Sequence, residues 1–244
     1  MVIEICIRYT TETRLFDAGE VFEKLNKCDL FICINPWHSK DVDLLLNYYK
    51  PDQSIGFFDA FKYRIPIDHS RHSAEMAFDV VRFLWPGACI QQFSYSPALP
   101  KVAQLKALTI YKKQAAHKKV LVVHADTAEE KLFPIPYFKA FLERFLDHSK
   151  EYMVFIVGID DFGLHMIPGH ETSIFSCIGE DLATSMAIVA LADIFVGVDS
   201  CMLHVADAFR IPGVGLFGPT DKNEFGFRNS QCRYVNFQKA SERF

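Results

Sequence analysis

Asp199-Ser200-Cys201-Met202-Leu203-His204 follows directly on a short apolar run and precedes a helical pattern, which is where a chain can hold an anionic ligand. The run, Ile194 to Val198, is mostly β-branched, as a strand buried on both faces requires. Ser200 is placed to N-cap a helix whose apolar residues Met202, Leu203, Val205, Ala206 and Phe209 recur at helical spacing, and Pro212 forbids its continuation. A second apolar run, Val214 to Phe217, completes a β-α-β unit. In such a unit the helix opens at the carboxyl end of a parallel strand, where free backbone N–H groups and the helix dipole favour phosphate. Gly218-Pro219-Thr220 ends the next strand on the same side, so both loops can line one cleft. Ser200, Cys201 and Met202 would act there through their backbone N–H groups. Asp199 is also placed to cap the helix, and His204, one turn in, reads either as a structural histidine or as a ligand contact.

Other chemistry-bearing residues point less far. Asp160 and Asp161 sit just past a strand end, where an acidic residue can accept hydrogen bonds from ribose hydroxyls or simply cap a loop. Asp68, His69 and His72 lie close together, but their spacing is not that of a metal site, and we expect no metal. Cys28 and Cys33 have no partner base in the sequence, so neither reads as a nucleophile. Ser200 is not in a Gly-x-Ser-x-Gly elbow, which argues against a hydrolase. The lack of a Gly-x-Gly-x-x-Gly turn or a Gly-Lys-Ser/Thr loop argues against dehydrogenases and P-loop enzymes.

The elements that must position these residues read as α/β. After position 118, strands at Val120 to His124, Met153 to Val157, Ile174 to Ile178, Ile194 to Val198 and Val214 to Phe217 are interleaved with helices at Tyr137 to Leu146 and Leu182 to Leu191. That alternation predicts a doubly wound sheet with a ligand crevice at the carboxyl ends of its strands. The first part is less regular, with strands expected at Val2 to Ile7, Leu30 to Ile34 and Ile55 to Phe57. Helices are expected there at Ala18 to Leu25, Val42 to Tyr49 and Ala74 to Leu84, the last ending before Trp85-Pro86. Residues 1–97 thus read as one lobe, 98–117, with Pro100 and a lysine-rich stretch and Pro97 just before it, as a linker, and 118–244 as a Rossmann-like domain. In a chain of 244 residues, half of them hydrophobic, two modest cores fit. The net charge of −4 argues against nucleic acid. With no signal peptide and no run of about 18 apolar residues, the chain is expected in the cytoplasm. Seven cysteines without a C-x-x-C pair do not suit a disulfide framework.

The combination of Asp199-Ser200-Cys201-Met202-Leu203-His204, Pro212 and Leu216-Phe217-Gly218-Pro219-Thr220-Asp221 resembles the heptosyltransferase-like glycosyltransferases of family 9. Members carry Asp-(Ser/Thr)-Gly-x-x-His, a helix, Pro, an apolar strand and Phe-Gly-Pro-Thr-Asp; here the glycine of the turn is Cys201, whose side chain narrows the approach of a diphosphate. The resemblance implies a GT-B fold of two Rossmann-like lobes, the N-terminal one shortened by roughly two βα units, about 60 residues. It implies that Asp199 holds donor-sugar hydroxyls. It also implies that Lys131, in Glu130-Lys131-Leu132-Phe133-Pro134, takes the place of the family's Lys-x-x-Pro lysine, which neutralises donor phosphates; otherwise Lys131 is a solvated lysine.

The implied activity is transfer of a heptose or hexose from a nucleoside diphosphate sugar, with no further cofactor, to a saccharide or glycolipid acceptor in bacterial surface glycan (lipopolysaccharide-type) synthesis. The family's Gly-Asp turn with its proposed base has no counterpart, so the catalytic residue stays unknown, with Asp17, Asp29, Asp41 and Asp43 as substitutes that spacing does not separate. The alternative is a catalytically silent nucleotide-sugar-binding module working beside a partner chain; a related epimerase fits the Rossmann pattern but not Phe217-Gly218-Pro219-Thr220. Lys112 to Lys119 reads as a solvated face or a weak contact to an anionic membrane.

Overall fold

A computed structural model describes residues 29–237; the strand expected at Val2 to Ile7, the helix expected at Ala18 to Leu25, Asp17 and Cys28 lie outside the described residues. The chain forms two units that divide between Phe93 and Ser94.

In the first unit three parallel strands, β1 (Leu30–Ile32), β2 (Gln53–Gly56) and β3 (Tyr63–Arg64), pair in that order. Helix α1 (Lys40–Tyr49) is N-capped by Ser39, whose side chain accepts from the Asp41 N–H, and Asp41 and Asp43 lie in its first turn, where the dipole favours them. Helix α2 (Ser73–Leu84) packs Met76 and Val80 inward, and Val80 joins Ile55, Phe57 and Ile65 in one small core. His72 Nδ1 accepts from the Ala74 N–H and Asp68 Oδ1 from the Ser70 N–H, so these two residues shape the entry to α2. Among the described residues no group of three or more metal-type side chains converges.

The second unit is a six-stranded, all-parallel sheet of β4 (Lys119–His124), β5 (Tyr152–Ile156), β6 (Ile174–Ser176), β7 (Ile194–Val198), β8 (Gly213–Phe217) and β9 (Cys232–Asn236). The order is β6-β5-β4-β7-β8-β9, so the chain winds outward one way from β4, then returns to β4's other side with β7. The alternation in Val120-Leu121-Val122-Val123 explains the layering. Val120 and Val122 pack with Ala187, Ile188, Leu203 and Ala206 of helices α5 (Leu182–Ala190) and α6 (Cys201–Ala208). Leu121 and Val123 pack with Phe138, Leu142 and Leu146 of α4 (Ile135–His148). Both faces are covered, as parallel strands require.

The stretch expected as a linker is instead mostly helix: α3 (Lys101–Gln114) belongs to the second unit and buries Ala103 and Ala107 in its core. In its first two turns the inward residues are alanines while Val102 and Leu105 face outward, and only Ile110 and Tyr111 near its end add larger side chains to the core, so the hydrophobic pattern that would have announced it is blurred. Strand β3 in the first unit, strand β9 and the short helix α7 (Lys222–Phe225) capped by Asp221 were not expected either. Among the described residues no helix is long and apolar enough to cross a membrane.

Candidate functional site

Strand β4 and strand β7 are neighbours that lead to opposite halves of the sheet, and a crevice opens where such strands part at their carboxyl ends. The residues that leave β4, β7 and β8 at this point meet. Asp199, which ends β7, is 3 % exposed, and its Oδ2 accepts a hydrogen bond from Thr220 Oγ1 (2.6 Å), beyond β8, and lies 3.0 Å from Lys131 Nζ. Thr127 Oγ1, beyond β4, donates to the Asp199 carbonyl oxygen (3.1 Å). A carboxylate so deeply buried needs such partners, because an unpaired one would lose its hydration without compensation. Lys131 ends a short 3-10 turn, Glu129–Lys131, and its ammonium also lies 6.0 Å from the Phe225 ring centroid.

Lys131, Asp199 and Thr220, far apart in sequence, are therefore one cluster. Thr127 joins them unannounced; its only signal was a polar residue just after a strand end. Ser200 occupies the N-cap position of α6 with extended backbone, but its hydroxyl makes no capping bond, contrary to expectation, and Oγ is buried with no hydrogen-bond partner among the described residues. Cys201 is exposed as a residue, but partial desolvation of its thiol holds it above the ordinary cysteine range. The Met202 side chain is core.

His204 keeps access to solvent, yet the protein around it depresses its pKa; Asp199 and Asp207 oppose that, and Lys131 adds to it. Its imidazole is neutral at pH 7 and sits within the field of the Lys131–Asp199 pair.

The loop after β5 separates the two aspartates considered for ribose. Asp160 forms a local turn, its Oδ1 accepting from the Phe162 N–H (2.7 Å). Asp161 is more enclosed and accepts from the Gly163 N–H (2.9 Å), Ser176 Oγ (2.9 Å) and His165 Nδ1 (2.6 Å). Burial raises its pKa, but these three donors outweigh that and leave it below the usual carboxylate range. Gly158 begins this loop at φ 141°, a conformation side chains rarely adopt, and a Cβ there would stand 3.2 Å from His124 Nδ1.

His124 closes β4 beneath the crevice. It is buried, and its Nδ1 donates to the Val157 carbonyl (2.9 Å), which fixes the tautomer. Burial lowers its pKa, with the Val157 bond opposing. The unfolded imidazole, near 6.5, then takes up a proton that the folded one refuses, so stability present above pH 6.5 is lost on acidification. Urea midpoints measured from about pH 7.5 down to about pH 5 should fall, and His124→Gln should flatten that slope; an unchanged slope in the variant would refute the assignment.

The sequence signature of glycosyltransferase family 9 (heptosyltransferase) matches residues 44–242. The fold is similar to that of a glycosyl transferase family 9 protein from Veillonella parvula (TM-score 0.71, 20% identity, covering 92% of this chain and 68% of that one). It is similar as well to two E. coli structures, ADP-heptose lps heptosyltransferase II (TM-score 0.64, 13% identity, 89% and 70% coverage) and heptosyltransferase WaaC with ADP (TM-score 0.63, 15% identity, 98% and 80% coverage). No curated protein matches the chain.

Proposed function

Since the chain belongs to glycosyltransferase family 9, we propose that the crevice at the ends of β4, β7 and β8 takes a nucleoside diphosphate sugar and that the protein transfers its heptose or hexose to a saccharide or glycolipid acceptor on the cytoplasmic side of a bacterial membrane, in lipopolysaccharide-type synthesis. The observation that carries the reading is the convergence of Lys131, Thr220 and the opening of α6 on the buried Asp199 carboxylate. One cation and first-turn N–H groups suit a diphosphate, and a carboxylate beside them suits sugar hydroxyls. When phosphates arrive, Lys131 Nζ has two anions to serve, and Asp199 Oδ2 is released in part toward the sugar. His204, neutral and one helical turn from Asp199, is placed to hydrogen-bond the same ligand. Asp160 is proposed as a ribose contact only through backbone ordering, its carboxylate being engaged in its own turn. The donor would be the substrate, with no other cofactor. The structure of E. coli WaaC with ADP makes ADP the first nucleotide to try.

A second reading is a module that binds the donor without turning it over, working beside a partner chain. Cys201 favours it, because a side chain stands where a family glycine would leave room for a phosphate. Among the acids considered as a base, Asp43 is paired with His38 (2.8 Å), and Asp41 lies beside it in the first turn of α1.

Calorimetric titration with ADP, UDP and GDP and their sugars, followed by a donor-hydrolysis assay, separates the readings. Binding with turnover supports the transferase, binding alone the module, and no binding at millimolar ligand refutes both. Lys131→Ala should weaken diphosphate binding by about tenfold to a hundredfold, the worth of one charge-assisted hydrogen bond. An unchanged Kd would remove Lys131 from the site.

A further inference from the structure

The outward face of α3 carries Val102 (75 % exposed), Leu105 (65 % exposed) and Leu108 (40 % exposed), while Ala103, Ala107, Ile110 and Tyr111 face the core. Aliphatic side chains of this size, aligned on one exposed helix face, mark a surface that something covers. The same face carries Lys101 at its start and Lys112 and Lys113 in its last turn; among the described residues only Lys106 of the helix's lysines is ion-paired, to Glu180. Helix α3 holds four lysines and no Asp or Glu, in a chain whose net charge is −4. An apolar groove of about 310 Å³ between α3 and α5, lined in part by Leu108 and Leu191, continues the surface.

We propose that this face of α3 docks on an anionic lipid bilayer. An apolar stripe with lysines at both ends matches an interface in which aliphatic side chains enter the headgroup boundary and ammonium groups stay with lipid phosphates. Helix α3 has no acidic residue of its own, and Glu180, which lies against it, is neutralised in its pair with Lys106. This inference is independent of the donor site, and its failure is read separately.

The test is co-sedimentation of the full chain with vesicles of equal parts phosphatidylcholine and phosphatidylglycerol, against phosphatidylcholine alone. Binding to the anionic vesicles only, released by salt, is expected. Leu105→Glu should weaken it at least about tenfold, and Lys112→Gln with Lys113→Gln should weaken it too. Because Leu105 is exposed, its variant should melt as the parent does and keep its diphosphate titration. No binding to anionic vesicles, or binding that Leu105→Glu leaves unchanged, overturns the proposal. So does self-association in sedimentation velocity that Leu105→Glu abolishes while vesicles are ignored, since a second copy then covers the face.

Discussion

Asp199→Ala should reduce transfer from a nucleoside diphosphate sugar at least about a hundredfold while leaving the protein folded. The carboxylate is the point on which Lys131 Nζ and Thr220 Oγ1 converge, and it closes the crevice from below. If it holds sugar hydroxyls, each such bond to a charged acceptor is worth about 1.5–3 kcal/mol, and two of them amount to a factor of a hundred or more. The structural cost is smaller. Alanine removes the buried charge itself rather than its partner, and Lys131, its side chain 30% exposed, can turn to water; about 1–2 kcal/mol of stability should go. Thr127 donates to the Asp199 backbone carbonyl and is untouched by the change. Asp199→Asn is a useful second variant, since it retains an acceptor for Thr220 but not the charge that faces Lys131. Turnover with donor analogues and thermal melting, measured on the same preparations, check the prediction. Wild-type turnover in Asp199→Ala would end the assignment of this site.

The site was legible because its parts are short and local. A β-branched run followed by a polar turn and a helical pattern says where a strand ends, and Asp199 and Thr220 stand at two such ends. What a single sequence does not carry is the sheet order: only when β7 lies beside β4 does Thr127 reach Asp199, seventy-two positions on. The resemblance to family 9 supplied Lys131, which no periodicity marks. Helix α3 was missed for a different reason. Helical patterns are recognised by large apolar residues on the inner face, and here Ala103 and Ala107 are inside while Val102 and Leu105 are outside, so the apolar residues surround the helix and the prolines and lysines around it read as a connection. Strand β9, Cys-Arg-Tyr-Val-Asn, lies at the end of the sheet and is at most half-buried, which leaves its composition without the signal a central strand shows.

Asp207 shows the limit most plainly, and replacing it by alanine should cost about 3 kcal/mol or more of stability. In sequence it is one acid in a helical stretch, and nothing in its spacing marks it. In the structure it is buried near the end of α6 and gathers the loop before β9: Oδ1 accepts from the N–H groups of Asn229 (2.7 Å) and Ser230 (3.0 Å), and Oδ2 from the Arg228 N–H (3.0 Å) and Asn229 Nδ2 (2.9 Å). A carboxylate that accepts three backbone N–H bonds replaces a turn of regular structure. Its removal leaves those donors to find water or go unpaired, at about 1–3 kcal/mol for each that stays buried. Asp207→Asn should fall between, since one oxygen can still accept while the new amide faces donors. The loop also sets β9 against β8, through the Gly213 N–H bonded to the Gln231 carbonyl, so the last strand should loosen first. Hydrogen exchange would show it: in Asp207→Ala the amides of residues 228–236 should exchange faster than those of β4 and β7, with the urea midpoint lowered. Equal exchange across the sheet would mean that β9 is held by its own ladder and that the Asp207 network is incidental to it.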